Sequence, residues 1–532
     1  DVQDTLLEDI ERIEVIRGPG GTLWGANAVN GIISIITRSS VNTPGTLVST
    51  GGGTSERAFG AGRYGGSIGN DFHYRVYGKT FDRSASKLES GGHANDEWNV
   101  TRGGFRTDWS ISPRDTITSQ GDVYTGQTAQ TIATVDLSDP LRGKQRAEND
   151  LKGGNLLLRW TSTQSRTSET SLQLYYDNSS RDQLSLSDRQ QTFDLDFQHS
   201  LSLGARDSVV WGVGVRTSSD RFFSVGHMYT ITPSAATTNL FSGFAQDDFK
   251  VSSRLRVTIG TKLTQDNNSG LQLQPSVRAL LRPTESQSVW IAATRAVRTQ
   301  SRFDLNGETN LYAFRNDEGQ TVIGELFGNP TLKPEIVTSY EAGYRWQPGG
   351  GLSLDAAAFY SDARKLRDDE DGTPYVDDQG RLILPQIFRN STRARSLGTE
   401  LFATARIGKR WNVTAGYALL HTHWSDPDGD IAIAIDEDAP VNQFQLRSSL
   451  SVTPTLELDS AAYYVSALTS QGLPGDTRVD TRLAWQATPR CELSLVGQNL
   501  LNGFHREFSG PADAAASAPV SRNVYGKVTW RF

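Results

Sequence analysis

Apolar and polar residues alternate along most of this chain, so that every second side chain belongs to one surface and its neighbours to the other. The closing stretch SRNVYGKVTWRF shows the pattern. Val524, Gly526, Val528, Trp530 and Phe532 share one face; Asn523, Tyr525, Lys527, Thr529 and Arg531 share the other. Successive side chains of an extended strand point to opposite faces, so the spacing predicts a strand with one apolar and one polar surface. The same alternation sets Phe72, Tyr74 and Val76 against His73, Arg75 and Lys79, and Tyr340, Ala342, Tyr344 and Trp346 against Ser339, Glu341 and Arg345. It also sets Trp411, Val413, Ala415, Tyr417 and Leu419 against Asn412, Thr414 and Gly416.

The punctuation between strands comes in two sizes. Short turns of Pro, Gly and Asp chemistry fall at Gly69–Asp71, Ser112–Asp115, Gly204–Asp207, Pro283–Ser286, Pro348–Gly351 and Thr488–Arg490. Longer polar connections fall near 83–96, 127–150, 299–331, 366–392, 424–441 and 502–521, and the two kinds take turns along the chain. Counting this way gives about 22 strands after residue 43. An even number of amphipathic strands, with short turns at one end and long loops at the other, predicts an all-β fold: a transmembrane antiparallel β-barrel. Lipid offers no hydrogen-bond partners, so such a sheet must close on itself, and the apolar face is the one turned to lipid. Tyr124, Trp160, Tyr360 and Trp485 fall near predicted strand ends, where interfacial aromatic girdles belong. A large soluble sandwich or propeller would not show the regular exchange of short turns and long loops.

Composition agrees. Hydrophobic residues make up only 36% of the 532, as expected if alternate residues of each strand touch lipid. No apolar run approaches the roughly 20 residues of a membrane-spanning helix. The single Cys491 excludes a disulfide framework and a multi-cysteine metal site. A net charge of −7 with interspersed signs gives no footprint for nucleic acid. The GAGRYG glycines Gly60, Gly62 and Gly65 match a dinucleotide fingerprint, and Gly65, Ser67 and Gly69 a hydrolase elbow. Both patterns require a following helix, and both fall inside a period-two strand. Nothing else has the paired, positioned groups of an enzyme site.

The remaining chemistry is in the long connections. In HTHWSDPDGD, His421, His423 and Trp424 are candidate ligand contacts, and Asp426, Asp428 and Asp430 could hold Ca2+ or another divalent ion. The simpler reading is a polar loop on an Asp-Gly turn. RDDEDGT (Arg367–Thr373) reads as a solvated charge run or a second acidic cation site. Arg302, Tyr312 and Arg315, in the 299–331 connection, suit an anionic ligand held by charge-assisted bonds and stacking, although a generic hydrophilic loop is the plainer alternative. No cofactor is required by any of these readings.

Three segments carry a family resemblance. IERIEVIRGPGGTLWGANAVNGIISIITR (Ile10–Arg38) resembles the last part of the plug domain of TonB-dependent outer-membrane transporters. NPTLKPEIVTSYEAGYRW (Asn329–Trp346) resembles their mid-barrel signature, and ELSLVGQNLLNGFHREF (Glu492–Phe508) with VYGKVTWRF their C-terminal one. The resemblance implies a barrel of about 22 strands over residues 44–532, with residues 1–43 as the C-terminal part of a plug lodged in its lumen. It implies uptake of a scarce nutrient across the bacterial outer membrane, a ferric siderophore or another metal chelate such as cobalamin, energised by the TonB–ExbB–ExbD complex. Other implied partners are outer-membrane lipid and lipopolysaccharide, and the barrel-assembly machinery, which reads the terminal aromatic residue Phe532. A monomer is expected, with no nucleic-acid partner. In the family, plug arginines pair with wall glutamates in a buried lock. Arg17 in IRGP matches one such arginine, and Glu341 in SYEAGY and Glu400 in LGTELFA match the glutamates, both on the inward parity of their strands. Asp1 has no leader before it, and the family's plug is longer, so the sequence reads as lacking the coupling box and most of the plug. A passive wide channel and a soluble all-β binding protein are the competing functions.

Overall fold

The last strand of the chain, Asn523–Arg531, pairs antiparallel with Gly45–Gly53, and this single pairing decides the architecture. Val48 lies opposite Trp530 and Thr50 opposite Val528, so the sheet that begins at residue 45 closes on its own end. The computed structural model describes the chain except for residues 1–4, 89–90, 135–142, 184–185, 225–228, 426–438 and 509–518. Among the described residues the closed sheet holds 26 strands; four of them, Tyr229–Ile231, Gly307–Arg315, Thr321–Phe327 and Tyr375–Val376, stand at the outer rim, and the other 22 form the wall. Neighbouring wall strands are antiparallel throughout. The short turns predicted from Gly, Pro and Asp all fall at one end and the long connections at the other.

The wall has the two faces that the alternation predicts. Val48, Tyr64, Val76, Phe105, Val123, Leu156, Tyr176 and Phe193 point outward and are exposed, and the same apolar surface continues round to Val528 and Trp530. A water-soluble protein has no use for a continuous outward belt of this kind, so the soluble alternative falls. The inward face is polar and charged. Phe532 stacks on Trp530 (ring centroids 5.7 Å apart, planes 12° from parallel), and its amide donates to the Thr46 carbonyl at 2.9 Å.

Two expectations need correction. The connections near 127–150 and 366–392 are largely strand, because Asp115–Thr134 and Gly143–Ser165 run on as one long hairpin, as do Leu352–Asp371 and Leu382–Ile407. About 10 residues suffice to cross a bilayer. Beyond that height the outward positions meet water, the apolar alternation lapses and the ladder continues. Tyr124 also belongs to no girdle: Val123 beside it points outward, and the Tyr124 hydroxyl lies against Gly153 on the lumen side.

Outside the wall sheet, Ile10–Arg17 and Gly31–Thr37 form a separate two-stranded sheet, with Ile13 opposite Ile35 and Arg17 opposite Gly31. Both strands are rich in β-branched residues, which favour extended backbone.

Candidate functional site

Thr5 to Thr43 touches the wall on opposite sides, which places it within the barrel. On one side Lys79 donates to the Thr5 carbonyl (2.9 Å), Lys527 pairs with Glu8, and Arg106 reaches the Thr37 hydroxyl (3.2 Å). On the other, Thr22 donates to the Gln274 carbonyl (3.0 Å), Lys262 to the Leu23 carbonyl (3.3 Å), and the Asn27 amide to the Val297 carbonyl (2.7 Å). Almost all of these contacts are polar. The wall supplies charges and hydroxyls at its inward positions, and the segment supplies backbone groups and short polar side chains.

The most deeply buried ion pair between segment and wall is one that no sequence pattern marks. Asp9 ends the short 3-10 turn Leu7–Asp9, and its carboxylate accepts from Arg63 at 2.6 Å and lies 3.3 Å from the Arg75 guanidinium. The three side chains are only 4%, 9% and 5% exposed. Arg75 also donates to the Arg38 carbonyl, and the Arg38 amide to the Asp9 carbonyl (2.8 Å), so one carboxylate and two wall guanidiniums tie the start of the first strand and the end of the second, which lie side by side at one end of the two-stranded sheet. Beside it, burial opposes the charge of Glu8, yet the Lys527 ammonium outweighs burial and holds that carboxyl below its ordinary range. Nothing in the sequence marked Asp9 except its inclusion in an acidic turn ahead of an apolar strand.

Of the residues expected to form a lock, Arg17 and Glu400 are in contact. Arg17 pairs with Glu400 and stacks over the Phe402 ring, 4.7 Å from its centroid. Glu341 does not reach Arg17; its carboxylate lies against Gly18 and accepts from the Ser339 hydroxyl at 3.4 Å. Gly18 has φ +72°, and a Cβ there would overlap the Glu341 carboxylate, so glycine is needed for both reasons. Where the chain leaves the lumen for the first wall strand, Asp108 accepts from the Ser39 hydroxyl (2.9 Å) and from the Ser40 amide and hydroxyl (2.7 Å each). Arg106 holds the same carboxylate from the wall side at 3.0 Å.

At the outer rim, Gly307–Arg315 pairs with Thr321–Phe327, which lies parallel to Leu382–Ile387 of the long hairpin. Leu305, Leu332 and Phe388 form a small core beneath them, with Phe303 and Leu326. Buried Asp304 caps the turn through Ser301 and pairs with Arg367. Arg302 serves this framework: it binds Asp220 (3.2 Å), the Asn306 side chain (3.3 Å) and the Pro233 carbonyl, and so is not offered to a ligand. Tyr312 is exposed and stacks with Phe314 (6.3 Å, 25°), and Arg315 is exposed at the strand end. Burial and the nearby Glu308 raise the Glu325 carboxyl on the paired strand.

His421 and His423 lie opposite Leu397 and Arg395, on the outward parity of Trp411–Ser425, so they do not face the lumen as ligand contacts would; Trp424, opposite Ala394, has the inward parity. Asp426, Asp428 and Asp430 lie outside the described residues. Among the described residues no three His, Cys, Asp or Glu side chains are grouped to hold a metal.

Residues 42–500 match the family model described as "TonB dependent receptor-like, beta-barrel". The chain belongs to the TonB-dependent receptor family. Members of this family are outer-membrane receptors rather than enzymes, and the outer membrane is where this barrel resides. The receptor is 23% identical over 369 residues to an iron-regulated outer membrane virulence protein of Vibrio cholerae, covering 67% of this chain and 53% of that protein. It is 22% identical over 399 residues to a ferric enterobactin receptor of Pseudomonas aeruginosa, covering 64% and 54%. The chain thus spans about half the length of the curated relatives it matches. The crystal structure of the siderophore receptor PirA from Acinetobacter baumannii superimposes with a TM-score of 0.79 at 15% identity, over 100% of this chain and 86% of that one, a likeness of fold.

Proposed function

We propose that this receptor serves the active uptake of a metal chelate, a ferric siderophore foremost and cobalamin second, energised from the inner membrane through the TonB–ExbB–ExbD complex. The observation that carries the reading is the segment inside the lumen, held on opposite walls by polar contacts. Water can replace such contacts one by one, so the segment can block passive flow and still be displaced by a pull. The printed names of the two relatives, one iron-regulated and one a ferric enterobactin receptor, favour iron over the other cargoes. In this reading residues 1–43 are plug and 44–532 barrel, and Arg17 with Glu400, and Glu341 against Gly18, act as the releasable lock. Tyr312 and Arg315 offer an anionic chelate stacking and a charge-assisted bond at the rim, with Trp424 on the lumen side of its strand. Phe532 at the closing seam serves assembly.

The test is growth of the native host with and without the intact gene, on defined ferric siderophores and on cobalamin as limiting nutrients. Loss of growth on at least one iron source is expected. Unchanged growth on every iron source and on cobalamin would remove the metal-chelate reading.

A further inference from the structure

The short-turn end of the barrel carries charge that nothing in the fold uses. Ten turns join wall strands there, and together they hold seven bases and two acids, Asp71 and Glu285, in a chain whose net charge is −7. Four adjacent turns each present one exposed arginine: Arg114, Arg166, Arg206 and Arg254. Lys409, Arg410 and Arg490, on the far side of the mouth, are exposed as well. None of the seven forms an ion pair among the described residues. Carboxylates of the adjoining strand ends are engaged elsewhere: Asp248 by Arg256 at 3.0 Å, Asp355 by Arg345 at 2.6 Å and Glu492 by Arg482 at 2.8 Å.

Parity decides which way these bases look. Asp207 pairs with exposed Leu203, Trp411 with Ile407 and Cys491 with Trp530, so these positions belong to the lipid-facing rows. Arg206, Arg410 and Arg490 each stand one residue earlier, on the opposite parity, away from the acyl chains. Leu255, opposite exposed Leu281, places Arg254 in the same way. Asp115, two residues before Ile117 in the row of exposed Trp109, does so for Arg114. Headgroups of the surrounding lipid meet the outer parity of a barrel, whereas these bases border its mouth. Short turns of an outer-membrane barrel lie on the periplasmic side, so the mouth they border opens there.

Spacing narrows the partner. Successive turns are two strands apart, which at ~4.8 Å per strand and about 45° of tilt sets the arginines roughly 14 Å apart along the rim. The turns are only two to four residues long and build no pocket between them. A flat row of cations at nanometre intervals does not enclose a small anion. It suits an extended polymer that bears a carboxylate on each repeat, the chemistry of the glycan network beneath an outer membrane. Each such contact is exposed and weak alone, so attachment depends on several acting together and is screened by salt.

We propose that Arg114, Arg166, Arg206 and Arg254 form a docking arc for a carboxylate-bearing glycan strand of the periplasmic peptidoglycan. Lys409, Arg410 and Arg490 supply a second point of contact across the mouth. The arc is independent of the transported ligand.

The experiment sediments the purified chain, in dodecylmaltoside, with isolated peptidoglycan sacculi. Replacing the four arginines of the arc together by glutamine should weaken co-sedimentation about tenfold, and replacing them by lysine should preserve most of it. Sacculi whose carboxyl groups have been amidated should retain the unaltered chain no better than untreated sacculi retain the glutamine variant. Raising the salt should release the chain. Unchanged heat-modifiable migration shows that the variants are folded; if the glutamine variant misfolds, the amidated sacculi decide alone. Equal retention on amidated and untreated sacculi, or unchanged retention of the folded glutamine variant, would overturn the arc. Competition by short-chain phosphatidylglycerol or by polyglutamate as strong as that by soluble glycan fragments would assign the bases to lipid or to acidic protein, and would overturn the glycan.

Discussion

Two of the ion-pair anchors that hold the lumen segment differ in polarity and in surroundings. At Asp9 the segment supplies the acid and the wall two arginines, all nearly sealed from solvent; at Arg17 the segment supplies the base and the wall the acid, with the side chains 47% and 25% exposed. Two charges that water can reach are worth little together, because each is already well solvated apart. Charges that water cannot reach depend on one another, since losing one strands the rest in a low-dielectric setting. The buried clasp should therefore fix the segment, and the exposed pair should be the contact that opens first.

The largest effect is expected from Asp9→Ala, which leaves Arg63 and Arg75 buried without the carboxylate that pairs with them and should loosen the segment by about 3–5 kcal/mol. Faster amide exchange at Ile33–Ile36, with the barrel strands still protected, is the readout. Asp108→Ala should come next. It removes the acceptor for the Ser39 hydroxyl and for the Ser40 amide and hydroxyl, and should release the exit turn by about 1–3 kcal/mol, seen as exchange at Ser40 and Val41. Arg17→Ala should cost below about 1 kcal/mol. A loss at Arg17 as large as that at Asp9 would erase the distinction between the anchors.

A pH series sharpens the same contrast at the Glu8–Lys527 pair, which adjoins the buried clasp. Glu8 has a lowered folded pKa, so its contribution is present above the ordinary carboxylate value of about 4.3 and is lost as pH falls through the lower folded value. Exchange at Leu7 and Glu8 should rise on acidification through that window, and Lys527→Met should flatten the dependence.

How much of this was legible in the sequence follows from where each signal resides. Period-two alternation is a local property, so the strands, their outward faces and the turns at one end could all be read directly. The same parity, carried four residues past Leu419, puts His421 and His423 outside the barrel, whatever the metal-like spacing of the motif suggests. The long hairpins look like loops in the sequence because strand pairing above the bilayer no longer requires apolar residues. The Asp9 clasp was invisible for a different reason. Its partners lie 54 and 66 residues away on other strands, and each resembles any lumen charge until closure brings them together. Contact between Arg17 and Glu400 could be expected only from the resemblance, and Glu341, expected beside them, lies against Gly18.

The most direct test compares amide exchange at Ile33–Ile36 in the unaltered barrel, Asp9→Ala and Arg17→Ala under identical conditions. The buried clasp predicts acceleration on the order of 100-fold or more for Asp9→Ala and below about tenfold for Arg17→Ala. Equal acceleration, or the reverse order, would contradict it.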